Sequence, residues 1–167
     1  MTPEARAALR SALRLNSDDL LAYFERRVQV REDAADLLSE TALQAWRRHD
    51  TIPAEPTHRR MWLFTIAANV LANHRRSGRR RTALAVRLRA HITSAPPAPD
   101  LAEANAVRDA VLRLHDAQRE LVMLIHWDGL TILEAAEVLG LNASTARGRY
   151  GAARRVLKEA LSNTVCT

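Results

Sequence analysis

Arg147, Arg154 and Lys158 are spaced so that a helix turning about 100° per residue brings them within roughly 40° of one another. A row of cations of this kind has one clear chemical use. It neutralises phosphates, and a guanidinium in it can donate two hydrogen bonds to a guanine edge. The row requires a helix, and its neighbours provide one. Ala146, Tyr150, Ala153, Leu157 and Leu161 recur every three or four residues and form an adjacent apolar stripe. Upstream, Thr131 can cap a short helix while Glu134 reaches back to the cap nitrogen. Ala135, Ala136 and Leu139 give that helix a small apolar face, and Gly140 stands where a helix ends with positive φ. Leu141 packs the turn, and Asn142 or Ser144 can cap the second helix. Residues 131–161 therefore read as a helix-turn-helix whose basic second helix enters a DNA major groove. The competing reading is an ordinary helical hairpin with solvated arginines.

Other chemistry is absent from the pattern. The histidines (His49, His58, His74, His91, His115, His126) are scattered, with no pair spaced to share one helix face as metal ligands. There is no glycine-rich phosphate loop, no nucleophile elbow and no paired-carboxylate constellation. Cys166 is the only cysteine, which excludes a disulfide framework and a thiolate zinc site. The chain is expected to be no enzyme and to carry no cofactor. Its 167 residues are 47% hydrophobic and 26% charged, which indicates a globular chain of one domain or two small ones. Alanine, leucine, arginine and glutamate dominate, and only five glycines occur, so the expected fold is all-α. A net charge of +6 favours a polyanionic partner. No apolar run reaches membrane-spanning length and no signal-peptide core opens the chain, so no membrane insertion and a cytoplasmic location are expected.

Two helical domains are expected, residues 1–81 and 105–167, joined by a proline-containing linker over 82–104. Within the linker, ITSAPPAPD (residues 92–100) removes backbone donors and biases its neighbours to extended forms. The first domain shows three helical patterns, over residues 18–30, 33–48 and 62–76. The second has the face Asp33, Asp36 and Glu40 opposite an apolar stripe of Ala34, Leu37, Leu38, Thr41, Ala45 and Trp46. The third buries Trp62, Leu63, Ile66, Ala67, Val70 and Leu71 and ends in Arg75 and Arg76. Between them lies DTIPAEPTHRR, residues 50–60, with two prolines. The helical register of Trp62 favours core packing over a stacking platform, and Trp46 and Trp127 are read as core. The second domain opens with helices over about 105–114 and 117–127, ahead of the helix-turn-helix.

Three ordered segments resemble a known family. DAADLLSETALQAWRR (residues 33–48) is similar to the family form DAEDLVQEVFLRAWR. WLFTIAANVLANHRR (62–76) is similar to WLYRIARNLALDxxRR, and LTILEAAEVLGLNASTARGRYGAARRVL (130–157) to LSYEEIAEVLGIPxGTVRSRLHRARKRL. On these residues the chain resembles the extracytoplasmic-function sigma factors, compact two-domain initiation factors of bacterial RNA polymerase, over about residues 20–161. The resemblance implies that Asp33, Asp36, Leu37, Glu40 and Leu43 dock the largest polymerase subunit. It implies that Asn69, Asn73, Arg75 and Arg76, with Arg79 and Arg80 of the basic run that follows, face the minus-ten promoter element, and that the loop 50–60 captures a flipped base. In the second domain it places Asn142, Ala143, Ser144, Thr145, Arg147 and Arg149 on the minus-thirty-five element. Arg154, Arg155 and Lys158 then either grip flanking phosphates or remain solvated.

The implied partners are core RNA polymerase, promoter DNA and an inhibitory anti-sigma protein. The implied function is promoter recognition and strand opening at initiation; the alternative is an autonomous helix-turn-helix regulator. The sequence departs from the family pattern at Gly148, where serine is usual, and Gly148 and Gly151 inside the recognition helix should each cost about 1 kcal/mol relative to alanine.

Overall fold

The computed structural model describes the backbone of residues 2–88 and 102–165, and side chains over 2–78 and 107–162. All the regular elements among the described residues are helices, with no strand among them. In order they form α1 (Pro3–Glu25), α2 (Arg31–Arg47), a 3-10 turn (His49–Thr51), α3 (Pro56–Leu88), α4 (Ala102–Arg113), α5 (Asp116–His126), α6 (Ile132–Val138) and α7 (Ala143–Val165). The chain divides into two compact units, Met1–His91 and Ile92–Thr167.

In the first unit α1, α2 and α3 pack against one another. Thr2 caps α1 by accepting a hydrogen bond from the Ala5 nitrogen at 3.2 Å, and Pro3 follows at a position where its missing N–H costs nothing. Leu9, Ala12, Asn16, Leu20, Tyr23 and Phe24 form its buried stripe. The helix expected over 18–30 thus starts far earlier. Asn16-Ser17-Asp18 looks like a cap in the sequence, but Asn16 is buried and its Nδ2 donates to the Ala12 carbonyl at 2.7 Å. The amide is satisfied inside the helix and does not stop it. The chain leaves the helix at Glu25, so residues 28–30 fall outside it.

On α2 the buried residues are Ala34, Leu37, Thr41 and Ala45. Thr41 satisfies its hydroxyl by donating to the Leu37 carbonyl at 2.7 Å, which removes the cost of burying it. Leu63, Phe64, Ile66, Ala67, Val70 and Leu71 line the inner side of α3. Tyr23 joins Phe24 and Phe64 in edge-on contacts at centroid distances of 5.1 and 5.5 Å. α3 begins at Pro56 and runs through Leu88, so residues 82–88 continue a helix where a linker was expected. Residues 89–101 of that linker lie outside the described residues.

In the second unit Val111, Leu114, Val122 and Ala153 form a cluster against which Tyr150 and Leu157 pack. Arg119 donates from Nε to the Val111 carbonyl at 3.2 Å and from one terminal nitrogen to Leu112 and Leu114 at 2.7 and 2.9 Å. One guanidinium thereby satisfies the carbonyls that the end of α4 leaves without helical partners.

The turn between α6 and α7 takes the form expected from its residues. Thr131 and Glu134 make the reciprocal capping box, at 3.3 Å to the Glu134 nitrogen and 2.7 Å from the Thr131 nitrogen. Gly140 has φ +64, a conformation that L side chains rarely adopt. The Leu141 nitrogen bonds the Ala136 carbonyl at 2.8 Å and the Gly140 nitrogen bonds Glu137 at 3.1 Å, the paired bonds of a Schellman stop. Ala135, Ala136 and Val138 are buried on α6, while Leu139 is only half-buried. Trp127, expected in the core, is 46% exposed. It follows the last residue of α5, beyond the stripe of Leu121, Val122 and Leu124.

Thr131→Ala should lower the stability of the second unit by about 1 kcal/mol. Because Thr131 and Glu134 act together, the double alanine variant should cost less than the sum of the two singles in urea unfolding. Strict additivity would show that the capping box contributes nothing as a pair.

Candidate nucleic-acid interface

The second unit presents its cations on α7. Asn142 resolves the two capping alternatives: its Oδ1 accepts from the Thr145 nitrogen at 2.7 Å, so Asn142 caps the helix and Ser144 is left exposed. That bond occupies the amide oxygen that would otherwise be offered to a base. Arg147, Arg149, Arg154, Arg155 and Lys158 are all exposed. No side-chain hydrogen bond or ion pair engages any of the five among the described residues. Arg147, Arg154 and Lys158 share one side of α7, whereas Arg149 lies roughly 160° round the helix from Arg147 at 100° per residue. Thr145 and Ala143 are half-buried. Cations left unpaired on one face of a capped helix repel one another, and an arriving polyanion relieves that repulsion.

Gly148 and Gly151 lie between Arg147 and Arg155 on the outward face of α7. A Cβ added at either would meet nothing within 4 Å, and neither adopts a positive φ. Neither packing nor backbone conformation within the unit demands glycine at these two positions.

In the first unit, Asp33, Asp36, Glu40 and Leu43 fall within about 80° on α2. Asp36 is exposed, and Leu43 offers an apolar surface that is 52% exposed. Leu37, expected beside them, is 6% exposed and belongs to the core, because its register turns it toward α3. Glu40 accepts from Gln44 at 2.8 Å, and Asp33 lies 3.8 Å from Nε2 of His74. A groove of about 250 Å³ runs between the two helices, lined by Glu40 and Gln44 on one side and Asn69, Asn73 and His74 on the other.

Asn69, Asn73 and Arg76 form one exposed row on α3, whereas Arg75 lies roughly 120° away from Asn69 at 100° per residue. Asn69 donates to the Thr65 carbonyl at 2.9 Å, which leaves its oxygen available. Arg79 and Arg80 stand on the same helix, beyond the described side chains.

The loop before α3 is tied at both ends. Thr51 Oγ1 donates to the Arg48 carbonyl at 2.8 Å and accepts from Trp62 Nε1 at 3.3 Å. Trp62 is therefore half-buried and hydrogen-bonded to the loop, not sealed in the core as expected; Trp46 is half-buried as well. Arg59 donates to the carbonyls of Pro53 and Ala54 at 2.9 and 2.6 Å. Arg60 pairs with Asp19 at 3.1 Å and lies over the Phe64 ring at 4.7 Å. The sequence reading missed the roles of Arg59 and Arg60. The available signal was a pair of arginines close to the start of a helix, where the dipole disfavours cations unless something nearby accepts from them.

Among the described residues, no cluster of histidine, cysteine and acidic side chains is arranged to hold a metal. No described helix is long and apolar enough to cross a membrane.

Comparison with known proteins covers both units. Residues 12–81 match the family model of Sigma-70 region 2, and residues 104–157 match that of Sigma-70 region 4. The chain is 35% identical over 148 residues to the ECF RNA polymerase sigma factor BldN of Streptomyces coelicolor, covering 85% of this chain and 56% of that protein. It is 30% identical over 153 residues to the RNA polymerase sigma factor NccH of Alcaligenes xylosoxydans xylosoxydans, covering 86% of this chain and 82% of that protein. The solved structure of the sigma factor RpoE from Bartonella quintana, in complex with the anti-sigma factor NepR, superposes with a TM-score of 0.57 at 26% identity, covering 95% of this chain and 94% of that one.

With open space at both positions, Gly148→Ala and Gly151→Ala should each raise the unfolding free energy by about 1 kcal/mol. Urea denaturation of the full chain reads the change directly. A loss of stability from either substitution would show that the fold itself requires the missing side chain.

Proposed function

The chain belongs to the extracytoplasmic-function sigma factors of bacterial RNA polymerase, and on that premise we propose how its two units divide promoter recognition and strand opening. The observation that carries the reading is the set of unpaired cations on α7, joined in one chain to a unit with an acidic docking face on α2.

In the second unit, α7 enters the major groove at the minus-thirty-five element. Asn142, Ala143, Ser144 and Thr145 bring the start of the helix to the DNA, where Asn142 holds the helix end and Arg147 reads a base edge. Arg154 and Lys158 neutralise phosphates on the same side, and Arg149 contacts the backbone from the other. In the first unit, Asp33, Asp36, Glu40 and Leu43 dock core polymerase, with acids providing register and the exposed leucine providing apolar burial. Leu37 supports that face from beneath.

The row of Asn69, Asn73 and Arg76, with Arg75, Arg79 and Arg80 along the same helix, engages the minus-ten element, and the segment over 50–60, a loop as far as Glu55 and the start of α3 from Pro56, receives an unstacked base. Unstacking costs a few kcal/mol per base, and stacking and edge contacts in a formed pocket offset it. The protein performs no catalysis: polymerase carries out nucleotidyl transfer in the cytoplasm, and the sigma factor selects where. A sigma factor of similar fold is held by an anti-sigma protein, and a protein of that class is the proposed inhibitor here. The match of both units to sigma regions disfavours an autonomous regulator.

Two experiments test the division. The isolated chain should bind DNA weakly, with strong salt dependence and little sequence preference. Core polymerase should confer specific initiation by holding both units at their boxes, which raises the effective concentration of each. Asp36→Lys with Glu40→Lys should abolish that gain and leave the weak direct binding intact. Tight, specific binding by the chain alone, indifferent to those reversals, would restore the regulator reading. Separately, Arg147→Ala should cost about 1–3 kcal/mol at cognate promoters and relax one base of the upstream box, while Lys158→Ala should weaken all promoters alike. Identical profiles for the two variants across upstream-box mutants would remove Arg147 from base reading.

A further inference from the structure

We infer that Arg59 is a positioning residue that builds the minus-ten base-capture loop before DNA arrives; the inference rests on the functional reading above for what the loop does. The backbone turn hydrogen bonds of this short connection lie at its ends, Thr51 to Arg48 and Ile52 to His49 on one side and His58 to Glu55 on the other, while Pro53 and Pro56 lack backbone donors. The carbonyls of Pro53 and Ala54 are satisfied from outside, by Nε of Arg59 at 2.9 Å and one of its terminal nitrogens at 2.6 Å. Those two donors lie along one edge of a rigid planar group and span two consecutive carbonyls at a fixed spacing, which an ammonium, with its donors on a single atom at the end of a flexible stem, does not reproduce.

Arg59 sits in the first turn of α3, which contains no acidic residue. A cation there is unfavourable for the helix itself, so the helix gives no reason for its place. The loop does. Trp62, one turn further on, ties the other end through Thr51, whose hydroxyl passes the connection to the Arg48 carbonyl. Arg59 and Trp62 are three residues apart and project from the same side of α3. Together they hold the two halves of the loop, with Thr51, Ala54 and Glu55 left exposed.

A loop that must trap a base during a brief unstacking event gains most from being ordered beforehand, because no chain entropy is then lost at the moment of capture. The guanidinium is committed to backbone carbonyls, so Arg59 acts on DNA through the loop and not by touching phosphate. In this it differs from Arg147, Arg154 and Lys158.

The test uses the full chain, first free and then with core polymerase. In the free protein, limited proteolysis should leave residues 48–56 intact in the wild type and cut them in Arg59→Ala and Arg59→Lys. Continued protection in both variants would overturn the inference whatever the protein's function. With polymerase, loss of the two charge-assisted hydrogen bonds should reduce initiation about tenfold on duplex promoter but no more than about twofold on a template premelted across the minus-ten region. Discrimination among minus-ten variants should shrink, while discrimination among minus-thirty-five variants should not change. Arg59→Lys should behave like Arg59→Ala; full rescue by lysine would make Arg59 a phosphate contact and overturn the assignment. Trp62→Phe, which keeps the ring and removes the Nε1 donor, should show the same selective loss more weakly, and a uniform loss on all templates would count against the inference. A wild-type chain that initiates nowhere with polymerase would overturn the functional reading, while the proteolysis result would still decide the clamp.

Discussion

Ala135, Ala136, Ala146 and Ala153 are each 4% exposed or less, buried on the inner sides of α6 and α7, with Ala153 in the cluster of Val111, Leu114 and Val122. Buried alanines let two helix backbones approach closely and leave little freedom in how they cross. The rest of the second unit follows from that approach. A larger side chain at any of these positions would push the recognition helix outward and tilt its cations with it. The capping box and the Schellman stop then fix where α6 begins and ends, so α7 is aimed by packing and started by Asn142. The first unit applies the same constraint with Ala34, Ala45 and Ala67, relieved at one place by the edge-on cluster of Tyr23, Phe24 and Phe64.

With alanines, leucines and a few aromatics filling the core, the long charged side chains lie outside, and the arginines divide into two populations. Arg59 and Arg119 fold back on carbonyls that helix ends and proline turns leave without partners. Arg27 lies 3.8 Å from the centroid of Tyr23, and Arg60 is shared between Asp19 and Phe64. These cations are spent inside their own unit. Arg147, Arg149, Arg154 and Arg155 are not, and they sit on a helix with no acid in its first turn. The net charge of +6 describes both groups together, and on the proposed reading the exposed cations of α7 are the ones that contribute to counterion release in the second unit. Geometry, more than charge count, therefore tells DNA-facing arginines from structural ones.

What the sequence revealed and what it concealed separate along the range of the interactions. The helix-turn-helix was legible in detail because every signal in it is local: Thr131 to Glu134, the glycine at 140 and Asn142 to Thr145 each act over three residues or fewer. The inner faces of α2 and α3 were legible because their periodicity is regular. The start of α1 was not, because a polar triplet at 16–18 mimics a cap until Asn16 is seen bonding back into the helix. Trp127 misled because size and apolarity do not say whether the helix has already ended, as α5 does at His126. Among the expected interface residues, Leu37 is buried on α2 and Arg75 lies about 120° round α3 from Asn69, a separation that shows only once the helices are packed. Arg59 was invisible because its partners are loop carbonyls, whose direction no residue pattern records.

The proposed docking face and the proposed minus-ten face are built on one packed helix pair. Asp33 on α2 stands 3.8 Å from His74 on α3, and the groove between the helices is lined by Glu40 from the first and by Asn69 and Asn73 from the second. On the proposed reading, a partner that takes hold of the acids on α2 alters the charge seen by the asparagines on α3, because the two sets face the same narrow space. An inhibitor covering that groove would hide both functions at once without needing to reach the second unit. The coupling follows from packing two helices over Ala34, Ala45 and Ala67, since side chains that close together cannot present independent surfaces. On the proposed reading, promoter engagement by the first unit is therefore conditioned by whatever occupies α2.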